Sequence, residues 1–363
     1  MAREYFPFID WMKAAGIFLI VFGHVAGAPI NFLVPPIYPK QLGVAFFLFV
    51  MGFSLAREAR PGWQVLFNRL FEIYLFGIGI AVLMSAIMYA ARGTLNLSNY
   101  LPFFLGANVL FNNFPANPTT WYIGTYLHVL VLWALVVRRV RVHTWMLPVS
   151  ATIEVAIRAA LLLEAGRFIA YMLVPNWMTV FLLGTWFGQR SEARTSQPAA
   201  PTSHHVTTLA GYSLLLAAFG AIWALLVRPH MQEYSFPFMR LSSMGAVADA
   251  VVTAVAVSVV YLAYTVLVFQ VVRRTTPPAW VRFLSRNTLI VFIAHMPLFY
   301  FLSDRLAPLA LPYLERAAVQ MLVCLVGLAL VSEFVRRVVR PGALRQWLFD
   351  RLVPVENTPT AGV

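Results

Sequence analysis

The stretch from Tyr5 to Pro29, YFPFIDWMKAAGIFLIVFGHVAGAP, sets the class of this protein. Its apolar run from Phe8 to Gly27 is long enough to cross a bilayer as a helix, because about 20 apolar residues span the hydrocarbon core. The run nevertheless contains three ionisable residues, Asp10, Lys13 and His24. Such groups are costly inside a membrane span, so each of them needs a reason.

Lys13 and His24 are predicted to share one face of this helix. At about 100° and 1.5 Å per residue, they differ by roughly 20° in direction and lie ~16 Å apart along the axis. Asp10, three residues before Lys13, joins the same stripe. Two simpler interpretations stay open. Asp10 and Lys13 could be interfacial residues that reach water from one end of the helix, and His24 could be an interhelical hydrogen-bonding residue.

The composition is typical of an integral membrane protein. Of the 363 residues, 60% are hydrophobic and 11% are charged, with a mean hydropathy of +0.75, whereas soluble domains carry about 25% charged residues. The net charge of +13 does not indicate a nucleic-acid partner, because the basic residues lie scattered between apolar segments. Cys324 is the only cysteine, which excludes an intramolecular disulfide and a cysteine-based metal site, and we expect no metal.

The apolar segments predict an all-α, polytopic membrane protein with about ten spans. They cover roughly residues 8–28, 41–57, 66–91, 119–137, 145–164, 167–189, 206–227, 245–272, 283–303 and 314–336. If the N-terminus is cytoplasmic, eighteen basic residues lie inside and seven outside. This bias follows the positive-inside rule for an N-in, C-in topology. We expect one membrane domain over residues 1–340 and a cytoplasmic tail over 341–363.

Later spans contain further polar and aromatic candidates. Glu154 and Arg158 are one helical turn apart, and we expect them to pair with each other. Trp121 and Tyr122 open a span at the outer face, where an aromatic belt is the ordinary explanation. His295, in NTLIVFIAHMPLF, is a second histidine within a span.

Several segments, in the same order, resemble the membrane acyltransferase 3 family. FIDWMKAAGIFLIVFGH is similar to the family's first helix, with His24 at the family's His and Lys13 where the family has Arg. FFLFVMGFSLA resembles the FFxxSGF segment, and NRLFEIYLF resembles RxxRIYP, with Arg69 at the first Arg and Glu72 at the second. TTWYIGTYLHVLVLWAL, FLLGTWFGQ and NTLIVFIAHMPLF resemble later segments, so the resemblance covers most of the chain.

The resemblance implies a membrane-bound O-acyltransferase in a bacterial cytoplasmic (inner) membrane. Members move an acyl group, usually acetyl from cytoplasmic acetyl-CoA, to a hydroxyl of a glycan, glycolipid or other small acceptor. Acyl-CoA is then a donor substrate, and no cofactor is bound permanently. Transfer to a hydroxyl needs a base, and histidine, with a pKa of ~6.5 in model peptides, suits that task. His24 is expected to be this base or an acyl relay.

The interpretation gives roles to further residues. Asp10 is expected to assist His24 in catalysis. Cations hold phosphates, so the donor is expected to bind Lys13, Arg57, Arg60 and Arg69. The acceptor is expected to contact His295, Trp121 and Tyr122.

A secondary transporter is the alternative from a different functional class. Such a protein would also have about ten spans, with Glu154, Arg158 and Asp249 as its pathway. The stripe from Lys13 to His24, with ionisable groups towards opposite faces of the membrane, favours the enzyme.

Overall fold

The structure is a computed structural model that describes residues 5–25, 39–92, 100–111, 120–191, 203–222, 225, 231–232, 240–241 and 245–352. Within these residues the regular secondary structure is helical, apart from a two-residue antiparallel ladder between β1 (Met231–Gln232) and β2 (Arg240–Leu241). Apolar segments form helices in a membrane because a helix satisfies its backbone hydrogen bonds internally. The all-α class predicted from the sequence is confirmed.

The helices follow one another with few breaks. We label them α1 (Pro7–Val25), α2 (Pro39–Ala56), α3 (Gly62–Glu72), α4 (Gly79–Arg92), α5 (Tyr100–Phe104), α6 (Trp121–Leu135), α7 (Met146–Glu164), α8 (Arg167–Met172), α9 (Met178–Ser191), α10 (Ser203–Ile222), α11 (Ala246–Val272), α12 (Ala279–Leu306), α13 (Tyr313–Met321), α14 (Leu328–Val339) and α15 (Pro341–Leu352). Two π-helical segments, Ile73–Ile78 and Leu322–Gly327, join α3 to α4 and α13 to α14.

Seven helices within the described ranges are long and apolar enough to cross a bilayer. They are Pro7–Val25, Gly62–Met84, Trp121–Arg139, Met146–Glu164, Ala246–Val272, Ala279–Leu309 and Tyr313–Val339. Lys40–Ala56 is a shorter apolar helix, and a 3₁₀ turn, Val174–Trp177, interrupts the segment expected at 167–189. The segment expected at 206–227 lies partly outside the described residues. The protein is therefore an integral membrane protein, and the count of ten spans stays a prediction.

Helix α1 packs closely between α2 and α12. A Cβ atom added to Gly43 would lie 2.4 Å from the Gly16 carbonyl oxygen, so the backbones of α1 and α2 touch there. The Phe8 and Phe53 rings pack 4.8 Å apart between their centroids. Together these two contacts show that α1 and α2 run antiparallel. Small residues allow such close helix contacts where lipid provides no hydrophobic driving force.

A buried ion pair supports the interruption between α8 and α9. Arg158 Nη2 lies 3.0 Å from Glu154 Oε1, and both side chains are buried. Glu154 Oε2 accepts a hydrogen bond from the Thr179 backbone N–H at 3.1 Å, and Arg158 donates to the Asn176 carbonyl at 2.5 Å. The Ser258 hydroxyl donates to Glu154 Oε1 at 3.0 Å. The predicted pairing of Glu154 with Arg158 is confirmed, and the pair satisfies backbone groups that the interruption exposes.

These contacts give Glu154 and Arg158 a structural role instead of a transport pathway. Asp249, the third residue of that alternative, is buried in the first turn of α11. A carboxylate at a helix N-terminus is stabilised by the helix dipole, which is a structural explanation for Asp249 as well. The transporter alternative is not favoured.

We expect Arg158→Met to lower the free energy of unfolding by about 3–5 kcal/mol, because it leaves the buried Glu154 carboxylate without its charge partner. The double variant Glu154→Leu/Arg158→Met should be less destabilised than the single one. Unfolding in mixed detergent micelles measures both, with Arg139→Met, an exposed arginine, as the control. An Arg158→Met protein as stable as the wild type would contradict the structural role.

Candidate active site

Two histidines that are 271 residues apart in the chain form a direct contact. His24 lies in the last turn of α1, and His295 lies in α12, which packs along α1. His24 Nδ1 and His295 Nε2 are 3.0 Å apart, and the ring centroids are 5.0 Å apart. His24 is partly exposed, whereas His295 is completely buried. The structure thus brings together the two span histidines that the sequence singled out.

The hydrogen bonds of His295 determine which nitrogen carries each proton. His295 Nδ1 lies 2.7 Å from the Phe292 carbonyl oxygen and 3.2 Å from that of Val291. A carbonyl oxygen only accepts, so this Nδ1 carries a hydrogen, and Nε2 of the neutral ring is an acceptor. His24 Nδ1 therefore donates to His295, which leaves the lone pair of the neutral His24 ring on Nε2. That nitrogen can take up a proton or attack an electrophilic carbon.

An aromatic cluster continues from this pair towards α6. The Phe292 ring centroid lies 6.1 Å from that of His295 and 5.1 Å from that of Tyr122. Trp121 lies one step further away, 5.9 Å from Tyr122 and 4.7 Å from Tyr171. Trp121 is only 7% exposed, so it is an interior residue and not part of a lipid-facing aromatic belt. Of the two aromatic residues predicted to contact the acceptor, Tyr122 is the nearer to the histidines.

The backbone carbonyl of His295 accepts a hydrogen bond from a neighbouring π-helical segment. The Cys324 thiol donates to the His295 carbonyl oxygen at 3.7 Å, from within the π-helical segment Leu322–Gly327. Both π-helical segments contact α12. Such segments occur often at functional sites, and no pattern in the sequence predicted them.

A cationic cluster occupies the opposite end of α1. The charges of Arg69 and Arg336 act on Lys13, and Asp10 and Glu72 provide negative charges beside it. Lys13 and Arg69 are thus close enough for their charges to interact, and Arg336 of α14 adds a third positive charge.

The other two predicted phosphate ligands each contact a neighbouring side chain. Arg60 donates two hydrogen bonds to the Glu58 carboxylate, at 2.7 and 2.6 Å, and this pairing raises the pKa of Arg60. The Arg57 guanidinium carbon lies 4.6 Å from the centroid of the Phe6 ring. The charge of Arg60 is therefore balanced by a carboxylate within the chain.

Asp10 does not lie with His24. Its Oδ1 accepts a hydrogen bond from the Ser285 hydroxyl at 2.5 Å, and its Oδ2 accepts one from the Tyr5 hydroxyl at 2.6 Å. Fourteen residues of continuous helix place Asp10 ~21 Å from His24 along the axis. The predicted assistance to His24 is therefore corrected, and Asp10 is a hydrogen-bonded countercharge at the Lys13 end.

Lys40 is a further cation near the histidines, and sequence analysis assigned it no role. The structure places it in the first turn of α2, and its charge acts on both His24 and His295.

Among the residues that the structure describes, no group of three or more His, Cys, Asp or Glu side chains is arranged to hold a metal ion.

The comparison with protein families agrees with this geometry. A family model described as an acyltransferase domain, Acyl_transf_3, matches residues 6–335, from just before α1 into α14. The chain belongs to the acyltransferase 3 family. The match includes both ends of the Lys13 to His24 stripe and His295, so this acyltransferase 3 protein is a membrane acyltransferase. No curated protein and no solved structure matches the chain.

Proposed function

We propose that this protein moves an acetyl group from cytoplasmic acetyl-CoA to a hydroxyl of a glycan, glycolipid or other small acceptor, with His24 as the reacting residue. The observation that carries the proposal is the hydrogen bond between His24 Nδ1 and His295 Nε2, 3.0 Å long, at one end of α1. This bond leaves the lone pair of His24 on Nε2, as a base or a nucleophile requires.

The other end of α1 suits the donor. Lys13 and Arg69 are close enough for their charges to interact, and such clustered cations bind phosphate groups by charge-assisted hydrogen bonds. His24 lies ~16 Å from Lys13 along a continuous helix. We infer that the long pantetheine arm of CoA covers this distance between the helices and brings the thioester to His24.

The positive-inside bias supports the same orientation. In the ten-span topology, eighteen loop and terminal arginines lie on the side of the membrane that holds the N-terminus. Seven basic residues lie on the other side. An N-in, C-in protein with ten spans therefore places Lys13 towards cytoplasmic CoA and His24 towards the outer face. The acceptor enters from that outer face, in a bacterial inner membrane.

In the proposed reaction the acceptor hydroxyl oxygen adds to the thioester carbonyl carbon while its proton passes to His24 Nε2. The carbon–sulfur bond then breaks, and the departing CoA thiolate takes this proton, which gives the ester and free CoA. His295 accepts the Nδ1–H of His24 throughout and holds the ring in place. Acetyl label found on His24 after incubation with donor alone would instead show a covalent acyl relay.

We expect Lys13→Ala to weaken CoA binding about 10- to 100-fold, since a hydrogen bond to a charged group contributes ~1.5–3 kcal/mol. Lys13→Arg should retain or improve the affinity, because guanidinium binds phosphate in a bidentate manner. Calorimetric titration with CoA measures both. Arg190→Met, which removes an exposed cation packed on Trp186, is the matched control. Unchanged CoA affinity in Lys13→Ala would contradict the assigned donor site.

A further inference from the structure

Lysine is rare in this chain, and its two lysines lie at different levels along the axis of α1. Of the 27 basic residues only Lys13 and Lys40 are lysines, and the other 25 are arginines. The charge of each acts on groups of the site, Lys13 at one end of α1 and Lys40 at the other. Lysine differs from arginine by presenting a compact point charge, which suits a single small anionic atom better than a planar fork does.

The packing of α1 against α2 fixes the level of Lys40 along the axis of α1. Because Phe8 faces Phe53 and Gly16 faces Gly43, the two helices run in opposite directions in a continuous register. Continuing this register places Lys40 level with Ile20, four residues or ~6 Å before His24 along the axis. The side chain of Lys40 is partly buried there.

Local helix stability does not explain a lysine at this place. Lys40 is the second residue of α2, and the helix dipole disfavours a cation at the N-terminus by ~0.3–1 kcal/mol. Its charge also acts on His24 and His295, and two neighbouring positive charges repel each other when His24 takes up a proton. A negative charge that forms beside both groups would remove this repulsion.

We infer that Lys40 is a further catalytic residue, whose ammonium group binds the carbonyl oxygen of the acyl group while negative charge develops on it. The inference rests on the proposed function. When the acceptor oxygen bonds to the carbonyl carbon, the π electron pair of the carbonyl moves onto its oxygen. Collapse re-forms the carbonyl and breaks the carbon–sulfur bond, the CoA thiolate takes the proton from His24, and Lys40 keeps its own protons.

The surroundings of Lys40 determine how much its charge contributes to catalysis. A fixed charge aimed at a developing oxyanion acts strongly where water is excluded, and removing one such group costs about 10²–10³ in kcat. The charge of Lys40 also couples proton uptake by His24 to formation of the oxyanion. Proton uptake becomes favourable only as the oxyanion forms.

The test compares Lys40→Met and Lys40→Arg with the wild type in purified, detergent-solubilised protein. We expect Lys40→Met to lower kcat for transfer from acetyl-CoA ~10²–10³-fold, with CoA affinity unchanged, and Lys40→Arg to recover part of the loss. Arg305→Met is the matched control, because Arg305 is an exposed cation beyond His295 on the same helix. If Lys40 had only a structural role, its substitution would change CoA affinity and kcat together.

Chemical rescue provides a second arm that does not depend on the folding of the methionine variant. Lys40→Cys is treated with 2-bromoethylamine, which rebuilds a lysine-like ammonium in the folded protein, or with iodoacetamide, which adds a neutral amide. Cys324 is completely buried, and treated wild-type protein controls for its modification. Recovery of kcat with the amine reagent alone is the expected result, and equal recovery or none with both reagents overturns the role of Lys40.

The two proposals fail differently. If the wild-type protein transfers no acetyl group from acetyl-CoA, the proposed function is wrong. If the wild type is active and Lys40→Met retains the wild-type kcat, only the role of Lys40 is wrong.

Discussion

His24→Ala is expected to lower kcat at least ~10³-fold while CoA affinity stays close to that of the wild type. The substitution removes the Nε2 lone pair that receives the proton of the acceptor, an interaction needed in the transition state and not for donor binding. In the proposed donor site the phosphates bind at the Lys13 end of α1, ~16 Å away and beyond the reach of the substitution. Steady-state transfer from labelled acetyl-CoA and calorimetric CoA titration measure the two effects separately.

His143→Ala is the matched control, because His143 is an exposed histidine outside the helices of the site. Its activity should equal that of the wild type. Substantial transfer by His24→Ala, or loss of CoA binding together with activity, would show that His24 is a structural residue.

His295→Leu has the second largest expected effect, a loss of ~10²–10⁴ in kcat with little change in CoA affinity. Leucine fills the buried site but offers no acceptor for the Nδ1–H of His24. The proton of His24 is then no longer kept on Nδ1, and the ring loses its fixed orientation. Because His295 is completely buried, we propose this positioning role in place of the acceptor contact expected from the sequence.

His295→Gln separates positioning from packing. Its amide oxygen can accept the same hydrogen bond, so we expect it to recover part of the activity that His295→Leu loses. The readouts are kcat and KM for each acceptor, measured separately, since loss of a residue that binds the acceptor directly would raise KM. Equal activity of the leucine and glutamine variants would contradict the positioning role.

The features predicted correctly from the sequence depend on local geometry. The helix that joins Lys13 to His24 follows from an apolar run of sufficient length, and its fixed rise gives their separation. Glu154 and Arg158 pair because residues four apart face each other on a helix. Their second task, satisfying backbone groups between Asn176 and Thr179, depends on contacts with another segment and was not predictable.

The features that the sequence did not predict depend on tertiary packing or on neighbouring charges. The assignment of Asp10 to His24 was wrong: its ~21 Å separation from His24 already follows from the helical rise, whereas its hydrogen bond from Ser285 depends on packing. The charge of Arg60 is balanced by Glu58, a partner two residues away that a count of loop charges ignores. The position of Lys40 beside the histidines follows only from the register of α1 against α2.

Transfer across a sealed membrane tests the role of His24 and the side of donor entry together. Wild-type and His24→Ala proteins are reconstituted into sealed vesicles of determined orientation, and labelled acetyl-CoA is supplied on one side only, with a hydroxyl acceptor on the other. We expect labelled ester for the wild type when the donor is on the side of the N-terminus, and none for His24→Ala. Ester formed by His24→Ala, or formed only when the donor is on the opposite side, would contradict it.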